Sequence, residues 1–305
     1  MRASGSNLAG MLECVAPPLS GSVTRFKAVQ RMKAQARAQS PPPCTHSRTA
    51  RRRQAGAWLL ASKGVTREPM TSILVTGSSR GIGSAIREQL EARCVRVIGH
   101  STQGIEEGEI AADFTEPSAP SMLWEEAMRQ ADGEIDVLVN NAGLFAGIPL
   151  DTSDIEWLDA WEETLRINLT AAAQLSRFAV RHWQETGRSG RIVHIASRAG
   201  HRGDSPAHWH YAAAKGGMLA LHKTIARAYA AQGIYSFAVT PGFTDTSMAG
   251  DYLESRGGPG LLADIPLGRV AEPEEIADIA VWCALDAPPS MTGTTIDANG
   301  ASYVR

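Results

Sequence analysis

Ile73-Leu74-Val75-Thr76-Gly77-Ser78-Ser79-Arg80-Gly81-Ile82-Gly83 is the stretch that decides the fold. A short apolar run ends in a turn with three glycines, and an amphipathic stretch from Ser84 to Ala92 follows. Strand, glycine turn and helix in that order open a parallel strand-helix-strand unit. Glycine at 77, 81 and 83 lets the chain turn tightly and bring its backbone against a ligand. The start of the helix then offers unpaired N–H groups and the positive end of a dipole, a setting for phosphates. Gly77, Ser79, Arg80, Gly81, Ile82 and Gly83 are therefore candidate phosphate-binding residues. Their spacing, Gly-x-x-x-Gly-x-Gly, differs from the Gly-x-Gly-x-x-Gly fingerprint.

Gly77-Ser78-Ser79-Arg80-Gly81 also fits the Gly-x-Ser-x-Gly elbow of hydrolases. That reading fails on context, because no strand pattern precedes Ile73 and no histidine follows His222. Downstream, apolar runs at Val95–Gly99, Ile135–Asn140, Arg191–Ser197, Tyr235–Thr240 and Thr294–Asp297 alternate with helical patterns. The helices are expected over Leu165–Glu185, Tyr211–Ala231 and Pro273–Asp286. The pattern predicts an α/β domain over 70–305, a single Rossmann-like doubly wound parallel sheet with helices on both faces.

Residues 1–69 carry twelve Lys and Arg against two acids, which leaves the rest of the chain at a net charge of −12. With Pro41-Pro42-Pro43, Arg51-Arg52-Arg53 and few aromatics, this basic N-terminal extension is expected to be disordered. Met70 stands three residues before the first strand, and the favoured reading takes it as the true start. A transit peptide for organelle import and a nucleic-acid-binding arm are the alternatives. The acidic domain gives no reason to expect nucleic acid as a partner. No apolar stretch reaches the ~18–20 residues that span a bilayer, so no membrane partner is expected. Cys14, Cys44, Cys94 and Cys283 show no paired spacing, which fits a reducing, cytoplasmic location.

Tyr211 and Lys215 are four residues apart in a helical pattern, so both side chains share one face. A cation beside a phenol is expected to lower its pKa and make it a proton donor near neutrality. Ser197, fourteen residues upstream, closes a strand and offers a hydroxyl to a substrate oxygen. Each has an ordinary reading alone: a helix start, a surface charge, a strand-end cap. Together with the glycine turn and Asn140-Asn141-Ala142-Gly143, they resemble the short-chain dehydrogenase/reductase family.

The resemblance covers nearly all of 70–305. It implies hydride transfer between a nicotinamide and a carbonyl or secondary alcohol, with 3-oxoacyl thioesters as one substrate class. Ser197, Tyr211, Lys215 and Asn168 become the catalytic candidates, Asn168 as the anchor of a proton-carrying water. Asp113 is matched to the adenine contact, and Asn140, Ala142 and Gly143 to the passage of ribose and nicotinamide. Pro241, Gly242, Thr244 and Thr246 are matched to the nicotinamide carboxamide. Gly99-His100-Ser101-Thr102 lacks the acid that would hold a ribose hydroxyl. Arg80, with Ser101 and His100, could instead meet a 2′-phosphate, so NADP(H) is preferred, with NAD(H) as the alternative.

The Ser197-to-Tyr211 interval is one residue longer than is common in the family, and Gly203-Asp204-Ser205-Pro206 is the turn that can absorb it. His201, His208 and His210 crowd this loop. Their spacing does not converge as a metal set, and they are expected to line the substrate entrance. Residues 247–266 are irregular, with Met248, Tyr252, Leu253, Leu261 and Leu262, as suits a lid. Phe237 and Asn299-Gly300 depart from the common family pattern. Alanine-rich faces on the two long helices suggest a homotetramer or homodimer. The rival function is a catalytically silent dinucleotide-binding regulator.

Overall fold

Alternating side chains build two hydrophobic layers on one sheet, since successive residues of a strand face opposite sides. In β1 (Ser72–Thr76), Leu74 belongs to one layer and Ile73 and Val75 to the other. In β4 (Val137–Asn140), Leu138 and the pair Val137 and Val139 divide the same way. A sheet buried on both faces needs helices on both, which is the doubly wound arrangement. The computed structural model describes residues 70–104, 106, 108–246 and 258–305. The expectations for residues 1–69 and for Met248, Tyr252 and Leu253 fall outside them.

Seven strands lie in the order β3-β2-β1-β4-β5-β6-β7, all parallel. Besides β1 and β4 these are β2 (Arg96–Ser101), β3 (Glu109–Ala111), β5 (Gly190–Ile195), β6 (Ile234–Pro241) and β7 (Thr295–Ala298). Helices α1 (Gly81–Ala92) and α8 (Pro273–Leu285) cover one face, where Ile86, Leu90, Ile276 and Ala280 pack on the sheet. Helices α2 (Ala119–Gln130), α4 (Ala171–Thr186) and α6 (Trp209–Tyr229) supply Leu123, Leu175, Trp183 and Ile225 to the other. The remaining helices are α3 (Asp154–Leu165), the short α5 (Ala199–Arg202) and α7 (Gly258–Ala263). Phe237, one of the departures from the family pattern, is fully buried core in β6.

Three differences from the sequence reading have physical causes. Strand β3 holds only Glu-Ile-Ala, too short for an apolar run, and is held by its register with Gly99–Ser101. Helix α2 opens with Ala-Pro-Ser and has a mixed surface that hides its buried Leu123, Trp124 and Ala127. The helix expected from Leu165 begins earlier, at Asp154, where the Ser153 side chain accepts the Glu156 N–H. A π turn over Arg166–Thr170 then separates α3 from α4.

Of the two cysteines among the described residues, Cys283 is a buried free thiol that burial pushes up to about 12. No helix among the described residues is long and apolar enough to cross a membrane.

Candidate active site

The C-terminal ends of the strands open on a cavity of about 640 Å3. Its floor is the glycine turn, held by groups from three strands. Thr76 Oγ1 accepts the backbone N–H groups of Asn141 and Ala142, both at 3.0 Å, and donates to Val139 O at 3.2 Å. Asn141 Nδ2 donates to the carbonyls of Thr76 and Gly77, each at 2.9 Å. Gly77 has φ +67°, and a Cβ there would sit 2.8 Å from Ala142 Cα. A Cβ on Gly83 would lie only 1.9 Å from Gly77 O, so helix and turn meet at a distance that glycine alone permits.

Arg80 occupies the N-cap of α1 without a side-chain capping bond. The first-turn N–H groups of a helix have no partner within it. Those of Gly81, Ile82 and Gly83 lie in the cavity wall, at the positive end of a twelve-residue helix. The cradle therefore fits a dinucleotide pyrophosphate. Ser79 and Arg80 complete this end of the wall, with Arg80 exposed.

His100 and Ser101 have other partners than a sequence reading assigns them. Gly77 N–H donates to His100 Nδ1 at 3.1 Å, which leaves the proton on Nε2, 2.8 Å from Ala112 O. Burial lowers the pKa of this ring, which is stacked on Phe114 at 4.4 Å. His100 is thus a neutral brace under the glycine turn, and its ring nitrogens are not offered to a phosphate. Ser101 Oγ donates to Glu109 Oε2 at 2.8 Å, and Ser78 Oγ to Oε1 at 2.6 Å. Burial raises the Glu109 pKa, but these hydrogen bonds, the Glu106 N–H and Arg87 outweigh it and hold the carboxyl below the usual range. This buried acid on β3 sits beside the end of β2, and β3 was too short to show it in the sequence. Asp113 and Glu106 are on the cavity wall, and Asp113 Oδ1 accepts Thr115 N–H at 2.9 Å.

Of the two neighbouring asparagines, Asn141 lines the cavity. Asn140 is buried in the core, where Nδ2 donates to Ser176 Oγ at 3.0 Å and lies 3.4 Å from His194 Nδ1, so it is not a wall residue. Ala142 and Gly143 do line the cavity. Asn168, fully buried in the π turn, accepts Leu144 N–H at 2.6 Å and donates to Leu144 O at 2.8 Å. A Cβ on Gly143 would be 3.1 Å from Asn168 Oδ1 and 3.7 Å from Lys215 Nζ, so this loop lies directly over both.

Ser197, Tyr211 and Lys215 meet on the opposite wall. Ser197 follows β5, and α5 carries the chain back against α6. A Cβ on Gly200 would be 2.8 Å from the Lys215 carbonyl carbon, so this contact also depends on glycine. The chain then turns at Gly203, φ +79°, and the His208 N–H donates to Ser205 O at 2.9 Å before Tyr211. Lys215 Nζ donates to Ile195 O at 2.8 Å and lies 5.8 Å from the centre of the Tyr211 ring. Burial pushes the Tyr211 phenol up to about 12, against the Ser197 hydrogen bond and with a smaller upward push from Asp204. Burial also pushes the Lys215 ammonium down to about 8. The expected lowering of the phenol by the lysine is therefore not met: desolvation outweighs a cation at this distance. At neutral pH Tyr211 therefore holds its proton.

Pro241, Gly242, Thr244 and Thr246 form the edge after β6. Thr246 packs against the glycine turn, where a Cβ on Gly81 would be 3.0 Å from its Cγ2. The loop histidines depart from expectation: His201, His208 and His210 are not among the residues lining the cavity, whereas His100 is. His208 stacks behind Phe145 at 4.1 Å, Phe145 meets Tyr211 edge-on at 4.8 Å, and His201 stacks on Tyr303 at 5.6 Å. No cluster of three metal-ligating side chains occurs among the described residues.

A family model described as enoyl-(acyl carrier protein) reductase matches residues 77–300. The 3-oxoacyl-[acyl-carrier-protein] reductase of Escherichia coli strain K12 is 35% identical over 243 residues, covering 76% of this chain and 96% of the relative. The acetoacetyl-CoA reductase of Rhizobium meliloti is 34% identical over 241 residues, 75% of this chain and 97% of the relative. Among solved structures, a candidate 2-deoxy-D-gluconate 3-dehydrogenase of Agrobacterium tumefaciens with bound NADP superposes with a TM-score of 0.67. It is 27% identical, over 77% of this chain and 99% of that one.

The lysine leads to a pH prediction. A folded-state pKa near 8 means that above pH 8 the native protein binds fewer protons at Lys215 than the unfolded chain, whose lysine titrates near ~10.4. This group therefore adds stability as pH rises from about 8 towards about 10. In Lys215→Met that contribution is gone. Chemical denaturation should show the stability of the variant, relative to wild type, falling across this interval. A pH-independent difference would mean that the lysine titrates normally.

Proposed function

Since the chain belongs to the short-chain dehydrogenase/reductase family and is an oxidoreductase of CH–OH and C=O groups, we propose that it is an NADP(H)-dependent carbonyl reductase with Tyr211 as its acid. What carries the reading is that Ser197, Tyr211 and Lys215 share one cavity with the glycine turn. The nicotinamide, when bound, supplies the hydride. Ser197 holds the carbonyl oxygen, and the protonated Tyr211 phenol gives its proton to that oxygen as negative charge builds there. Lys215 is within reach of a ribose and, below its shifted pKa, carries the nearby positive charge. Asn168 fixes the Gly143–Leu144 loop above the lysine, and Pro241, Gly242, Thr244 and Thr246 bound the nicotinamide end.

The NADP(H) preference rests on Arg80 at the exposed lip and on the engagement of Glu109 with two serines. The NADP in the solved neighbour agrees with it. The names of the curated relatives suggest 3-oxoacyl thioesters, and that of the neighbour a hydroxy acid. A homo-oligomer is part of the same reading. Helix α3 buries only Thr164, while Ile155, Leu158 and, at the start of α6, Trp209 are exposed beside the stacked Trp157 and Trp161. This patch, more than the alanines of α4 and α6, is the surface a second copy would cover.

Tyr211→Phe should lower kcat at least ~100-fold while leaving NADPH binding intact, as befits loss of a general acid. A silent regulator would show no turnover to lose. Arg80→Ala should weaken NADPH more than NADH, since only NADPH carries the 2′-phosphate, and equal losses would reduce Arg80 to a loop cation. Light scattering on the full chain at micromolar concentration should give a dimer or tetramer mass, and a monomer mass would remove the oligomer from the reading.

A further inference from the structure

We propose that Arg198 determines substrate specificity by binding a carboxylate close to the reacting carbonyl. The proposal builds on the oxidoreductase reading, which makes Ser197 and Tyr211 the residues at that carbonyl. Arg198 directly follows Ser197, and its Cα is about 3.8 Å from that of Ser197 by chain geometry. Its backbone N–H donates to Pro241 O at 3.0 Å, which locks its base between β5 and β6. The side chain lines the same cavity as Ser197, Asp204 and Tyr211.

The side chain is only 8% exposed, and Nη1 is buried without a hydrogen-bond partner. Its Cζ stands 4.7 Å from the centre of the Phe243 ring. A ring face attracts the charge but accepts none of the five N–H groups along their fork. Burial lowers the guanidinium pKa, Arg202 adds to that, and Asp204 and Asp264 oppose it. A buried cation with an unmet donor is costly to a fold, and structures that keep one tend to give it an anion.

A carboxylate suits this fork. It is planar, carries one charge and presents two oxygens to paired N–H donors. A phosphate dianion suits it less, because Asp204 stands on the same wall and would repel the second charge. The same physics separates free oxo and hydroxy acids from esters and thioesters, whose acid group is masked. Arg198 would hold the acid end while Ser197 and Tyr211 hold the neighbouring oxygen.

The test is calorimetric titration of the full chain in the presence of NADP+. The probes are 3-hydroxybutyrate, 3-hydroxyhexanoate and the ethyl ester of each. Wild type should bind the acids at least ~10-fold tighter than the esters, the scale of a charge-assisted hydrogen bond. Arg198→Met should lose that preference with ester binding unchanged, and Arg198→Lys should keep part of it. Methionine replaces the stem with an apolar one of similar length, and thermal melts confirm that the variant folds. Equal binding of acids and esters by wild type, no binding of the acids, or an equal loss of both in Arg198→Met overturns the proposal. NADPH oxidation with neutral ketones and thioesters is followed in parallel. Turnover of these without acid binding removes Arg198's role and leaves the oxidoreductase reading, whereas acid discrimination without any turnover does the reverse.

Discussion

Helix α1 and the turn that precedes it approach so closely that a side chain at position 83 has no room, and the rest of the site is arranged around that contact. Gly77 O occupies the space where a side chain at position 83 would begin. The helix can therefore start immediately beyond β1, with its first N–H groups in the cavity wall. That proximity leaves carbonyls crowded at the turn, and Asn141 and Thr76 supply the groups that satisfy the backbone there. His100 fastens the same turn from β2, and Ser78 with Glu109 fastens it from β3. Four strands are thus tied to one short segment.

Burial dominates the chemistry of the opposite wall. Two ionisable groups near each other in water would each favour the other's charge, but inside the protein both pay for leaving solvent. Tyr211 and Lys215 are driven towards their neutral forms together, the phenol by holding its proton and the amine by releasing it. The phenol is therefore uncharged at neutral pH, while Lys215, at about 8, still carries most of its charge there and shares the wall with the Arg198 guanidinium.

The layout of the sheet was legible because β1, β4, β5 and β6 are buried on both faces and so read as continuous apolar runs. Strand β3 was not, since three residues carry no periodicity and its place depends on pairing with β2. The glycine turn was legible because its glycines are forced by contact distances, which act locally. The partners of that turn come from residues far away in sequence, so the brace formed by His100 looked like a phosphate ligand and Asn140 could not be told from Asn141. The loop histidines misled for a related reason: whether a ring lines a cavity or backs the residue that does is decided by neighbours such as Phe145 and Tyr303. Tyr211, Lys215 and Ser197 could be found by spacing, but spacing carries no information about desolvation, which decides how they titrate.

The π turn at Arg166–Thr170 is where a change in chain length would reach the site before it reached the helix packing. Each residue advances an α-helix by about 100°, and a π turn stores one residue more than the α-helical path needs. Deleting that residue would let the turn close into a regular α-helix, with α3 and α4 kept near their present phase. Asn168, which sits in the bulge, would then leave Leu144, while the stacked tryptophans of α3 would keep their place relative to the buried face of α4. The extra residue thus serves the loop over the lysine and not the packing of the two helices.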